Sequence, residues 1–147
     1  MAGLLIVDSG GDLKQIPEEQ KQQIVKAMES DAYTDVTESY WKQLLVGSDH
    51  RIAERIMKDM KSMPKEMVVS QVKELFWFDP VPALSRYHGP KLSVITPVND
   101  TEYSLHKLQP DFPHVVVTGT GHWLHMDKPE EFNRILDEFL SGVEVSK

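Results

Sequence analysis

The chain has 147 residues, enough for one domain with a buried core, and its apolar and charged fractions are those of an ordinary folded protein. Its formal net charge is −7 and it has no basic cluster, so nucleic acid is not an expected partner. The absence of cysteine excludes disulfides, thiol catalysis and cysteine-bound zinc, and it agrees with a cytoplasmic location. No apolar segment is long enough to predict a membrane span, so no membrane partner is expected.

The first part of the chain predicts a buried strand followed by a tight turn. Gly3–Val7 is a continuous apolar run, which is typical of a strand covered on both faces in a parallel sheet. The polar and glycine-rich segment Asp8–Asp12 then predicts the turn. From residue 15 to residue 80, apolar residues recur at helical spacing and predict four helices with no strand between them. The pattern indicates one domain, residues 1–147, with a helical insertion at residues 15–80.

The third part returns to alternating strands and helices. Strands are predicted at Leu92–Thr96 and His114–Thr118, with a short helix from Asp100 to about Leu108 between them. Two parallel strands joined by a helix form a βαβ unit, whose crossover is right-handed in nearly all proteins. The fold class is therefore α/β, with a short parallel sheet of about three strands.

A final amphipathic helix follows the last strand. Asp127 and Glu130 have the spacing of a capping box, which predicts that the helix begins just after Asp127. Gly142 fits the position at which such a helix stops. Between the last strand and this helix, the turn Gly119–Trp123 presents His122 at the carboxyl edge of the sheet, where open α/β sheets place their chemistry.

Four segments together resemble the carboxyl-terminal portion of the α/β-hydrolases. They are Gly89–Ile95, Asn99-Asp100, Gly119–Trp123 and Lys128–Phe132. By its position in that pattern, Asp100 corresponds to the acid of the catalytic triad, and His122 corresponds to the histidine. The resemblance also implies that the first strand is the family's sixth and that the helical insertion is its cap. The family's nucleophile lies in a Gly-x-Ser-x-Gly elbow on the preceding strand, and no such motif occurs in this sequence.

Ser9 is the candidate nucleophile within the chain. It follows the first strand directly, so its hydroxyl is expected at the same sheet edge as Asp100 and His122. Gly10 and Gly11 allow close backbone approach and are expected to turn their amides toward an anionic intermediate. The alternative is that Ser9 only closes the turn, as serine often does.

Two tryptophans are candidate substrate-binding residues. Trp123 is the neighbour of His122, and Trp77 ends the last helix of the cap, where it would line an acyl pocket or fill the core. His122 and His125 are three residues apart, but the supporting ligand spacing of a zinc site is missing, so no metal is expected. No cofactor is expected either.

The first strand also predicts self-association. Ala2–Val7 is apolar and contains neither proline nor a charged residue, so its free edge would accept another strand. Antiparallel pairing with a second copy would give a twofold homodimer with one six-stranded sheet.

Two functions from different classes remain open. The first is a serine-type hydrolase of small esters or related acyl substrates, in which Ser9 attacks, His122 acts as base and Asp100 orients the imidazole. The second is a catalytically inactive α/β-hydrolase fragment that acts as a binding or structural scaffold. The resemblance favours the enzyme because both the acid and the histidine motifs are present, but fold alone does not decide function.

Overall fold

The computed structural model describes residues 3–145 and contains one parallel sheet. Its strands are β1 (Leu4–Val7), β2 (Lys91–Ile95) and β3 (His114–Val116), and their spatial order is β1-β2-β3. β2 pairs in parallel with both neighbours, so all three carboxyl ends lie at one edge. The predicted fold class, a short parallel α/β sheet with helices inserted after its first strand, is confirmed.

Helices make up most of the rest of the chain. A 3₁₀ turn at Leu13–Gln15 precedes five helices that lie between β1 and β2, and three more follow β2. The helices are α1 (Glu18–Glu29), α2 (Tyr33–Leu44), α3 (His50–Lys61), α4 (Lys65–Trp77), α5 (Val81–Ser85), α6 (Leu105–Leu108), α7 (Leu124–Asp127) and α8 (Pro129–Val145). Within residues 3–145, every helix is too short or too polar to cross a membrane.

The insertion formed by α1–α4, called the cap below, has an apolar core of its own. Its fully buried members come from α1, α2 and α4, and methionines of α3 and the α3–α4 turn pack against them. They are Met28, Trp41, Val68 and Val69. This arrangement follows from the helical spacing of the apolar residues, because each helix buries one stripe against the others.

Both faces of β1 are covered, as expected for a continuous apolar strand. Leu5 and Val7 pack toward α7 and α8, whereas Leu4 and Ile6 pack toward α5 and α6, because successive side chains of a strand point to opposite faces. The buried partners on the first side are Val94, Val117, Leu124 and Ile135, and those on the second side are Leu84, Leu105 and Phe112.

The carboxyl-terminal region departs from its predicted details. Helix α7 precedes α8, and Asp127 is the last residue of α7, so it does not form the expected capping box. Its carboxylate instead accepts hydrogen bonds from the cap and from the His122 turn, as described below. Gly142 lies inside α8 instead of ending it. The helix expected at Asp100–Leu108 is confined to α6 at its end.

Candidate active site

The carboxyl edge of the sheet brings one acid and one histidine together. Asp8 follows β1 directly and adopts a left-handed backbone conformation with φ of 45°, which is uncommon for a residue other than glycine. Its N–H donates to the Val94 carbonyl at 2.7 Å, so the position of Asp8 is set by the ladder with β2. His122 follows β3 by way of a turn in which Gly119 has φ of 69°. Non-glycine residues in the left-handed region, such as Asp8, cluster at functional sites.

Asp8 and His122 form a hydrogen-bonded pair. His122 Nδ1 lies 2.8 Å from Asp8 Oδ2. A carboxylate oxygen only accepts, so Nδ1 carries the hydrogen in this pair, and the neutral imidazole has its lone pair on Nε2. Within residues 3–145, Nε2 makes no hydrogen bond, and the His122 side chain is 32% exposed. The imidazole is therefore in the tautomer that a general base requires.

Four hydrogen bonds hold the Asp8 carboxylate, which is fully buried. Besides the bond from His122, the N–H and Oγ1 of Thr96 donate to Oδ1 at 2.6 and 2.8 Å, and Asn99 Nδ2 donates to Oδ2 at 2.8 Å. Burial raises the pKa of Asp8, but the hydrogen bonds from His122, Thr96 and Asn99 outweigh it and leave this pKa below its usual value. Asp8 is thus a carboxylate at neutral pH, which stabilises a protonated His122 during proton transfer.

Asp100, the partner expected for His122, lies elsewhere. Its Oδ1 is 2.6 Å from Lys107 Nζ and 3.2 Å from His106 Nε2, and Lys107 Nζ also donates to its carbonyl at 3.1 Å. The adjacent Lys107 ammonium is the main cause of a lowered pKa at Asp100. The residue before it, Asn99, is the one whose side chain reaches Asp8. The structure therefore pairs His122 with Asp8 and not with Asp100.

Ser9 and the two glycines occupy the turn after Asp8 but not the expected arrangement. Ser9 Oγ accepts a hydrogen bond from the Gly11 N–H at 3.2 Å, and within residues 3–145 it makes none to His122. Gly11 has φ of 85°, and a Cβ built there would lie 2.0 Å from the Tyr103 carbonyl oxygen. The Gly11 N–H is thus hydrogen-bonded within the turn, and the close approach of Tyr103 requires glycine at this position. Gly10 is exposed and contacts Leu13.

A narrow crevice, with no room for a water molecule, lies beside His122. Apolar side chains of the cap, Leu44 and Val46, face Val98 of the loop after β2 across it. The Trp123 ring meets the His122 ring edge-on, with centroids 4.9 Å apart.

The other predicted site residues are absent from this lining. Ser9, Gly10 and Gly11 do not line the crevice, and neither does Trp77, which ends α4 beneath the Lys21 ammonium. Among the described residues, no three histidine or acidic side chains converge on a point that could hold a metal ion.

The sequence contained one signal for the contact between Asp8 and His122. Asp8 directly follows a continuous apolar run, and this position places its carboxylate at the carboxyl edge of the sheet. The same reasoning placed Asp100 at that edge, because Asp100 follows β2. The family resemblance instead assigns the acid to the position after β2, which Asp100 occupies. No sequence pattern indicated the roles of Thr96 and Asn99.

The sheet, the cap inserted after its first strand and the histidine turn after its last strand have the fold of the carboxyl-terminal part of an α/β-hydrolase. Among similar solved structures is one described as "Est816 as an N-Acyl homoserine lactone degrading enzyme", with a TM-score of 0.67 and 23% identity. That match covers 94% of this chain and 57% of the other. Another is MenH from S. aureus, with a TM-score of 0.71 and 12% identity, covering 98% of this chain and 60% of the other.

The chain thus spans less than two thirds of the length of either structure. No family model matches the sequence, and no curated protein matches it. At these identities the likeness concerns the fold.

Proposed function

We propose that the chain carries the acid and the base of an α/β-hydrolase site that cleaves small esters or related acyl compounds. The observation that supports this most strongly is the hydrogen bond of 2.8 Å between Asp8 and His122. It fixes the imidazole so that Nε2 can take a proton from a hydroxyl nucleophile and later give it to the leaving group. Asp8 takes the place that the sequence analysis gave to Asp100.

The substrate class is supported by the surroundings of His122. Val46 and Val98 are exposed apolar side chains beside His122, and an acyl chain would pack on them better than a charged group would. One of the similar structures is described as degrading N-acyl homoserine lactones, and a lactone is a cyclic ester. Esters with an apolar acyl part are therefore the substrates to try first.

Ser9 is the nucleophile that we propose within this chain. In the reaction, Ser9 Oγ attacks the carbonyl carbon while its proton passes to His122 Nε2, and that proton then leaves with the alkoxide. Water then attacks the carbonyl carbon of the acyl-enzyme while its proton passes to His122 Nε2. That proton returns to Ser9 Oγ as the carboxylic acid is released. Oγ already accepts a bond from Gly11, so its own hydrogen is free to be donated, but the turn has to rearrange to bring it to Nε2.

The first prediction concerns turnover of a chromogenic short-chain ester. Wild type is expected to hydrolyse it slowly, because an incomplete oxyanion site typically costs roughly 10²–10³ in turnover. His122→Ala removes the base and is expected to lower the rate of hydrolysis by at least about 10⁴-fold. Ser9→Ala is expected to lower it by the same factor. Initial rates of the three proteins at one ester concentration test this.

A covalent serine-hydrolase probe followed by peptide mapping identifies which serine is the nucleophile. Labelling of Ser9 supports the whole proposal, whereas labelling of another serine replaces Ser9 and keeps the pair of Asp8 and His122. Equal turnover by wild type and His122→Ala would contradict the enzyme. The scaffold would then be the better description.

We also propose a homodimer formed through β1. Of the predicted segment Ala2–Val7, Ala2 lies outside the described residues, and within residues 3–145 β1 pairs with β2 alone. Because alternate N–H groups of a strand point to opposite sides, those of Leu5 and Val7 face away from β2 while Leu4 and Asp8 donate to it. A second copy would satisfy the outward groups.

We expect twice the mass of one chain by size-exclusion chromatography with light scattering at micromolar concentration. A constant mass of one chain across a concentration series would contradict the dimer. This measurement needs no substrate, so its outcome is independent of the ester assay.

A further inference from the structure

The carboxylate of Asp127 joins the cap to the turn that carries His122. Its Oδ2 accepts hydrogen bonds from Ser48 Oγ at 3.0 Å and from the Gly121 N–H at 2.9 Å. Its Oδ1 accepts one from the Asp49 N–H at 2.9 Å. Ser48 and Asp49 belong to the segment between α2 and α3, whereas Gly121 is the residue before His122. The Asp127 side chain thus bonds both to the cap and to the turn that carries His122.

The cap also touches His122 directly. The His122 N–H donates to the carbonyl of Leu44, the last residue of α2, at 2.7 Å. Asp49, held by Asp127, is the N-cap of α3, and its own carboxylate accepts from the N–H groups of Arg51 and Ile52. The hydrogen bonds therefore run from the start of α3, through Asp127, to the N–H of Gly121, the residue before His122.

The two surfaces fit closely. A Cβ on Gly121 would lie 2.1 Å from Ser48 Oγ and 2.8 Å from the Leu44 carbonyl oxygen. A Cβ on Gly47, which has φ of 91°, would lie 2.8 Å from the Thr120 carbonyl oxygen. With backbone against backbone on both sides, the cap segment cannot shift toward the turn without moving it.

The crevice is too small for a substrate as it stands. It has no room even for a water molecule, whereas ligand pockets typically enclose roughly 300–1,000 Å³. Leu44 and Val46 form its cap side, so admitting an ester requires the segment at residues 44–49 to move. That movement breaks or strains the bonds to Asp127 and His122.

We infer that Asp127 is a positioning residue that couples the placement of the cap segment 44–49 to the placement of His122. When the cap segment is seated, Asp127 binds both Asp49 and Gly121, and the Leu44 carbonyl binds the His122 N–H; when the segment leaves, the turn loses the Leu44 bond and Asp127 loses two of its three donors. The consequence for catalysis rests on the proposed hydrolase function, whereas the coupling itself does not.

Amide hydrogen exchange of the full chain, measured by NMR without substrate, tests the coupling. Asp127→Asn exchanges an acceptor for a donor and is expected to speed exchange at Gly121, His122 and Asp49 by at least about tenfold, because bonds to a charged acceptor are among the stronger ones. Ser48→Ala deletes the bond from Ser48 to Asp127 and leaves the bond from the Gly121 N–H to Asp127 in place. Coupling predicts that it also speeds exchange at Gly121 and His122, by at least about threefold.

A matched control and the double variant complete the design. Asp137→Asn changes an exposed acid on α8 and should leave all three amides at their wild-type rates. In the Asp127→Asn background, Ser48→Ala should add nothing further, because the shared carboxylate is already gone. If Ser48→Ala changes exchange at Asp49 but not at Gly121 or His122, the coupling is wrong.

The imidazole nitrogen shifts of His122 give a second readout in the same samples. Asp127→Asn is expected to broaden or move them, and Asp137→Asn to leave them in place; unchanged shifts in Asp127→Asn would overturn the positioning role. In a chain that hydrolyses no ester, the exchange rates still decide the coupling, so the two proposals fail separately. Where turnover is present, Asp127→Asn should lower kcat more than it raises KM.

Discussion

Asp8→Asn is expected to lower ester turnover by about 10⁴-fold, the loss found when the buried carboxylate of such a triad becomes an amide. The amide can present its NH₂ group to His122 Nδ1, which then accepts a hydrogen bond and leaves the hydrogen on Nε2, the wrong tautomer for a base. Asp100→Asn is the matched control, because Asp100 is an acid in the loop after β2 that contacts Lys107 and not His122. It is expected to stay within about threefold of wild type.

The kcat/KM of both variants on one ester measures the difference. The imidazole nitrogen shifts of His122 report the tautomer independently of turnover, and they should change in Asp8→Asn but not in Asp100→Asn. A large loss of kcat/KM in Asp100→Asn with little loss in Asp8→Asn would restore the triad expected from the sequence. It would mean that the loop at residues 96–104 takes another conformation during the reaction.

The fold could be predicted because its signals are local. A continuous apolar run defined β1, helical spacing defined α1–α4, and strand–helix–strand alternation defined the parallel sheet. These patterns report which residues are buried, and burial determines the layers. The boundaries near Asp127 and Gly142 could not be predicted in the same way. A capping box and a helix-stopping glycine are weak preferences, which the contacts of Asp127 with the cap and the packing of α8 override.

The site was predictable in part, for a different reason. His122 could be placed because a turn after a strand fixes the sheet edge, and the same reasoning applied equally to Asp8 and Asp100. The choice between those acids depends on the path of a loop of about five residues after β2, which presents Asn99 to the sheet edge and turns Asp100 toward Lys107. No residue pattern encodes that path, because a shift of one position in the loop exchanges the two side chains.

The Asp8 turn provides a comparison of two adjacent glycines that the sequence treats alike. Gly10 and Gly11 were both expected to serve an anionic intermediate, yet their surroundings differ. At Gly10 an added Cβ would be 3.5 Å from Leu13 Cδ2, an ordinary contact. At Gly11 it would be 2.0 Å from the Tyr103 carbonyl oxygen, which also accepts the Asp12 N–H at 2.8 Å and so cannot easily retreat.

Gly11→Ala is therefore expected to lower the free energy of unfolding by about 3 kcal/mol or more, from the left-handed φ and the clash together. Gly10→Ala is expected to change it by less than about 1 kcal/mol, in either direction. Urea denaturation of both variants and wild type measures the two effects. If both variants prove equally stable, the turn is looser than the packing of Gly11 against Tyr103 implies. Ser9 would then have the freedom to reach His122 without the cost that the structure assigns to that movement.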